Sequence, residues 1–340
     1  MICVAWFVAV ASLGAAAAPD AAAAGGVRQL FEADLHEFEV PTDALTGLQR
    51  FFEEHVQPHL ARGLPSKERM MLSRSGAMGE RAGELIFCRP DVAIANNNMW
   101  WVSPRTPAMF EEMEALVSQI ALKGEARAFL DDRLAREHGR LGAADSPQLF
   151  ASYFVIGNGS LPVRGLSAAD AWWHTDWHSR AAVTGLLPLG HLPEGSGQLL
   201  VQDWLGHTRT YAYSEGRGVL VGTARHATEP WDGTATRGAW RVLVSFVVGS
   251  SQAGSWDALR KYVEGQTVLY RDFQGTLRSC DPRPRSNADE DSKGKWGDFE
   301  NVQVCAYEHV LRGGRVVVEG DNEGGVSVVR PAQLIRAGNL

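Results

Sequence analysis

From about Gln148 onward the hydrophobic pattern of this chain changes period, and that change limits the fold more than any other feature. Leu149-Phe150-Ala151-Ser152-Tyr153-Phe154-Val155-Ile156 is a run of β-branched and aromatic residues that stops at Gly157-Asn158-Gly159-Ser160. Runs of the same kind follow at Ala182 to Leu187, Gly197 to Val201, Thr208 to Tyr213, Gly218 to Val221 and Trp240 to Val248. Most are separated by turns bearing Gly, Pro or Asp. Many short strands without alternating helices predict a mainly β fold with a jelly-roll core over 146–252. A Rossmann sheet is excluded, because no Gly-x-Gly-x-x-Gly follows a strand.

The region before this core reads differently. Leu45, Leu48, Phe52, Val56 and Leu60 recur at helical spacing, with Pro58 near the end of the run. Met109 to Ile120 and Glu125 to His138 show the same period, and Pro107 stands just ahead of the first. Residues 27–145 are therefore expected to form helical support for the sheet. His36, His55, His59 and His138 fall in this helical region.

Beyond the core, residues 256–340 read as a small β-rich module of SH3-like type. Its strand-like runs are Gly265 to Tyr270, Asn301 to Val304, Arg315 to Val318 and Val326 to Val329. They show no metal or acid–base spacing, so a role in binding a partner or shaping substrate access is expected of them.

The first 26 residues, MICVAWFVAVASLGAAAAPDAAAAGG, form a short apolar run that ends in small residues. That pattern predicts a signal peptide over 1–18 and a location in the secretory pathway, in the endoplasmic reticulum lumen or outside the cell; retention as an N-terminal anchor, or a cytosolic or organellar location, are the alternatives. No later apolar run is long enough to span a bilayer, so no membrane span is expected in the mature body. With Cys3 removed, Cys88, Cys280 and Cys305 remain, and Cys280 with Cys305 is the expected pair, three reduced thiols being the alternative. The net charge of −7 leaves no basic groove, so no nucleic-acid partner is expected.

Inside the core, Trp172-Trp173-His174-Thr175-Asp176-Trp177 places a His and an Asp two apart. On an extended strand they point to one face, and Trp173 and Trp177 to the other. A second imidazole is offered by His226 at the end of Gly218 to Arg225. Two imidazoles and one carboxylate cap one face of an octahedral ion and leave three positions open, which suits non-haem ferrous iron. His178, two residues past Asp176, competes for the same role; His191, His207 and His309 lie in loops or on unrelated strands.

With these motifs in place, residues 148–250 resemble the iron- and 2-oxoglutarate-dependent dioxygenases, in the style of the prolyl 4-hydroxylase-like branch. The resemblance rests on an ordered series: the Tyr153 strand with its Gly157-Asn158-Gly159 turn, His174-Thr175-Asp176, the strand Gly195 to Leu200, His226, and a last strand opening on Arg241. It implies a double-stranded β-helix with His174, Asp176 and His226 as iron ligands. It also implies 2-oxoglutarate as co-substrate, succinate as its product, and ascorbate as a reductant. Arg241 is the expected partner of the co-substrate's distal carboxylate, since a guanidinium fork matches a planar carboxylate. Arg237 is its rival, and Tyr153 is a second donor or else a core aromatic.

The expected reaction is hydroxylation of an unactivated carbon in a peptide, prolyl or related, or in a small molecule. Retention of Asp176 argues against halogenation. A cupin-like barrel that binds a ligand or isomerises without oxidation is the alternative, and a degenerate structural relative is a third. Trp231 and Trp240 are expected near the mouth of the site, and Asn158-Gly159-Ser160 is a glycosylation sequon.

Overall fold

The computed structural model describes residues 26–61, 78–82, 84–89, 99–137, 146–158, 171, 173–177, 180–192, 195–229, 240–279, 316–319 and 326–329. Residues 1–18, His178, Trp231, Arg237, Cys280, Cys305 and the segment Gly159-Ser160 lie outside the described residues.

In chain order the strands are β1 (Arg28–Gln29), β2 (Leu35–Glu39), β3 (Met78–Ala82), β4 (Leu85–Arg89), β5 (Met99–Pro104), β6 (Pro147–Asn158), β7 (Ala182–Pro188) and β8 (Leu199–Gln202). They continue with β9 (Thr208–Tyr211), β10 (Arg217–Val221), β11 (His226–Thr228), β12 (Trp240–Ser250), β13 (Leu269–Arg271), β14 (Leu277–Ser279), β15 (Val316–Glu319) and β16 (Val326–Val329). The helices are α1 (Thr42–Phe51), α2 (Gln57–Ala61), α3 (Pro107–Ala121), α4 (Gly124–Glu137) and α5 (Ala253–Gln266).

A nine-stranded sheet runs β1-β2-β10-β7-β12-β6-β5-β4-β3, and a three-stranded sheet runs β11-β8-β9. All their pairings are antiparallel. β13 with β14 and β15 with β16 form two further hairpins. Helices, one large sheet and a smaller one make a mixed α/β architecture built from antiparallel sheets, without a closed barrel among the described residues.

The period-two alternation of β12 divides the large sheet into two working faces. Val242, Val244, Phe246 and Val248 join Phe154, Ile156, Val183 and Leu187 in a cluster covered by Leu45, Leu48 and Phe51 of α1 and Met109, Met113 and Val117 of α3. Gly185 is required there, because a Cβ at that position would fall on the ring of Phe246, its partner across the ladder. The other face carries Leu243 with Val219 and Val221. These pack against Leu199, Val201, Tyr211 and Tyr213 from the small sheet and its flank, so the two sheets enclose a second core between them.

Two local outcomes differ from the periodicity. The helical run near Pro58 is interrupted by a π-helical turn at Phe52–Val56, where the Gln57 amide reaches the Phe52 carbonyl. Proline lacks an amide and its ring crowds the preceding turn, and the widened turn accommodates both. More significantly, the region read as helical support also supplies β1 to β5, five of the nine strands of the large sheet.

Candidate metal centre

His174 and His226 are joined first by backbone. The His174 amide donates to the His226 carbonyl at 2.9 Å and the His226 amide to the His174 carbonyl at 2.8 Å. This isolated antiparallel bridge stitches the ligand segment 173–177 to β11. Residues directly opposite in such a pair project to the same side, so the two imidazoles meet, with ring centroids 4.3 Å apart.

Asp176 closes the set. Its Oδ1 lies 3.5 Å from His174 Nε2 and its Oδ2 3.7 Å from His226 Nε2. One ligand atom from each of the three residues falls within 4.8 Å of the others. The three side chains form a two-histidine, one-carboxylate triad.

The donor chemistry fits a cation. His226 Nδ1 lies 3.0 Å from the Ala224 carbonyl. A carbonyl only accepts, so Nδ1 donates to it and Nε2 is the ring nitrogen turned toward the Asp176 carboxylate. Such outer-shell fixing of the tautomer is characteristic of metal-binding histidines. Asp176 and His226 are buried, with side chains 5% and 7% exposed, whereas His174 is 28% exposed and marks the open side.

Burial pushes the Asp176 carboxyl upward. The facing His226 and His174 imidazoles, with hydrogen bonds from Thr184 and Tyr262, outweigh that and hold it below the ordinary carboxylate range. It is therefore present as the anion. Trp177 donates from Nε1 to Thr184 Oγ1 at 3.0 Å and is buried, which matches its expected packing role. Trp173 lies beneath the Arg225 guanidinium at 5.8 Å.

Arg241 opens β12 on the face shared with Leu243 and Ser245, opposite Gly157 of β6. It is buried at 2% exposure, donates from Nε to the Gly197 carbonyl at 2.9 Å, and lies over the Tyr213 ring at 5.5 Å. Its guanidinium also hydrogen-bonds the Tyr213 hydroxyl, whose pKa burial pushes up to about 12 against the pull of that cation. Tyr153 is buried as well, but its hydroxyl engages Ser245 and Tyr262. The phenol hydrogen-bonded to Arg241 is thus Tyr213, which carried no distinguishing spacing in the sequence. Trp240 differs from expectation too: it packs against the helix-side core. As an even-numbered neighbour of Arg241 on β12, it projects to the other face of the sheet.

A buried clamp supports the segment carrying His226. Arg133 of α4 donates from Nη1 and Nη2 to the two carboxylate oxygens of Asp34, and from Nε to the Arg180 carbonyl at 3.0 Å. Asp34 Oδ2 also accepts from the Thr223 amide at 2.7 Å and its hydroxyl at 2.9 Å. One arginine therefore ties the chain just past Asp176 to the chain just before His226.

No family model matches the chain, and no curated protein matches it. Among solved structures, a prolyl-4-hydroxylase from Pseudomonas putida is similar over 63% of this chain and 92% of its own, at 16% identity and a TM-score of 0.31. An oxidoreductase of the 2OG-Fe(II) oxygenase family from Burkholderia pseudomallei is similar over 63% and 84%, at 12% identity and a TM-score of 0.33. EctD from S. alaskensis with bound Fe is similar over 65% and 74%, at 13% identity and a TM-score of 0.35. At these identities and TM-scores the functional reading rests on the side chains themselves.

Proposed function

We propose that this protein is an Fe(II)- and 2-oxoglutarate-dependent oxygenase that hydroxylates an unactivated carbon, with a jelly-roll core formed by the two facing sheets. The observation that carries the reading is the convergence of His174, Asp176 and His226, whose ligand atoms lie within 4.8 Å of one another. Two neutral imidazoles and one carboxylate form a facial set with three positions left for a chelating 2-oxo acid and oxygen. When bound, ferrous iron supplies the oxidative chemistry that no side chain can perform.

The residues of the chain do the remaining work. His174, Asp176 and His226 would hold the ion. Arg241, buried and steadied by the Gly197 carbonyl and Tyr213, presents a fixed cation on the sheet face toward the triad, suited to the distal carboxylate of the co-substrate. Leu243, Val219 and Val221 keep water from the inner wall, and the half-open His174 leaves one side for substrate. The reading extends to a peptidyl substrate, prolyl or related, in the secretory pathway. The apolar N-terminus ending in small residues supports that location, and the order of motifs along the chain supports the substrate class.

Succinate release tests the reading, screened over proline-rich peptides, lysine-containing peptides and small metabolites, with mass spectrometry for the gain of one oxygen. Turnover on peptides is expected. Turnover confined to free metabolites would overturn the peptide assignment. A bound metal with no succinate formed under any condition would favour the non-oxidative, cupin-like reading.

A further inference from the structure

Tyr262 belongs to α5, in the region where the sequence showed no catalytic spacing. Its ring packs on Trp177 at 4.5 Å between centroids, and its hydroxyl lies 3.4 Å from Thr184 Oγ1. The same hydroxyl is hydrogen-bonded to Asp176 and to Tyr153, and Tyr153 is in turn bonded to Ser245. Trp256, Leu259 and Val263 of α5 pack with Phe150, Ala151 and Val247 of β6 and β12, which fixes the helix against the large sheet.

The hydroxyls of Tyr262, Tyr153, Ser245 and Thr184 form a buried hydrogen-bonded network around the Asp176 carboxylate, a setting in which such bonds reinforce one another. An ionised carboxylate only accepts, so the hydroxyls that reach Asp176 do so as donors. Thr184 Oγ1 also accepts from Trp177 Nε1 at 3.0 Å and lies within hydrogen-bond reach of the Tyr262 oxygen.

We propose that Tyr262 is a positioning residue of the metal centre: its hydroxyl, set in a buried network with Tyr153, Ser245 and Thr184, fixes the Asp176 carboxylate in the orientation that faces both imidazoles. The inference rests on the reading of His174, Asp176 and His226 as a metal site. It makes metal affinity depend on a helix outside the strands that carry the ligands.

Outer-shell partners of metal ligands are worth about 10–100-fold in affinity, and Tyr262→Phe removes the hydroxyl while keeping the ring against Trp177. Titration of the full-length metal-free protein with Co(II), followed by its visible ligand-field absorption, is expected to show about tenfold or weaker binding in this variant. The absorption band should also be shifted, in a metal-free protein that still unfolds in one cooperative transition. Tyr153→Phe should lose affinity in the same direction but by less, and gives a second readout should Tyr262→Phe fail to fold. Thr184→Val should also weaken binding, and Thr184→Ser should restore it. Wild-type affinity and spectrum in Tyr262→Phe, with binding lost in Asp176→Ala, would overturn the proposal and leave the metal site standing. Failure of the wild-type protein to bind Co(II) would overturn the metal-site reading itself.

Discussion

Arg133 and Asp34 meet in a two-pronged ion pair, Nη1 to Oδ1 at 2.7 Å and Nη2 to Oδ2 at 2.9 Å, with side chains only 6% and 12% exposed. Asp34 also holds the Thr223 amide and hydroxyl, three residues before His226. Removing one partner leaves the other charge buried. Arg133→Ala should therefore cost about 3–5 kcal/mol in denaturant unfolding. The double variant with Asp34→Ala should cost less than the sum of the single losses. Gly222 adds a steric test: a Cβ there would fall on Asp34 Oδ2 and Arg133 Nη2, so Gly222→Ala should destabilise in the same way.

Acid sensitivity follows from the same pair. Burial would raise the Asp34 carboxyl, but His36, Arg133 and the Thr223 amide hold it far below its ordinary value of 3.8. A depressed folded-state pKa contributes stability that is present above the unfolded value and lost as pH falls below it toward the folded value. Urea midpoints should therefore drop on acidification from about pH 4 downward. Asp34→Asn should be less stable at neutral pH and show a flatter acid limb. An unchanged slope would separate Asp34 from the acid transition.

Arg241 carries the co-substrate prediction. Removing one side of a buried charge–carboxylate contact costs about 2 kcal/mol or more, roughly 30-fold in affinity. Arg241→Met, which keeps much of the apolar volume beside Tyr213, should raise the KM for 2-oxoglutarate by about that factor, with a smaller effect on kcat. Arg237→Ala should leave that KM unchanged. The reverse pattern would assign the carboxylate to Arg237.

A pair of truncations addresses the end of the chain. Ending the protein after Ser279 keeps α5, β13 and β14, and Co(II) binding should persist at wild-type affinity. Ending it at Gly254 removes Tyr262 together with the apolar residues Trp256, Leu259, Val263 and Tyr270, which pack against Phe150, Trp177 and Val247. That shorter form should unfold at lower temperature and bind metal more weakly. Equal behaviour of the two would show that α5 is dispensable to the core.

Much of the site was legible because its information is local. His174 and Asp176 stand two apart in one short segment, although that segment forms a single bridge and a bend and not the extended strand expected, and the β-branched runs of β6, β7, β8, β10 and β12 stand between turn residues. His226 was legible as a distal ligand from its place in the order of motifs. The strands β3 and β4 were not, since Met78-Gly79-Glu80-Arg81-Ala82 has no clean alternation to mark it, although the two strands pair as neighbours along the chain. Tyr262 and Tyr213 escaped for a different reason. A single hydroxyl on a helix or beside a strand carries no spacing signal, and only the packing of α5 on the sheet and of Tyr213 beneath Arg241 gives either a chemical partner.

The most direct measurement is anaerobic. Fe(II) and 2-oxoglutarate are added to the full-length metal-free protein while the visible spectrum is recorded. The wild-type protein is expected to show the weak charge-transfer absorption of a chelated 2-oxo acid, and folded His174→Ala and Asp176→Ala variants to lack it. A folded wild-type protein that gives no such band and binds neither Fe(II) nor 2-oxoglutarate would contradict the oxygenase reading.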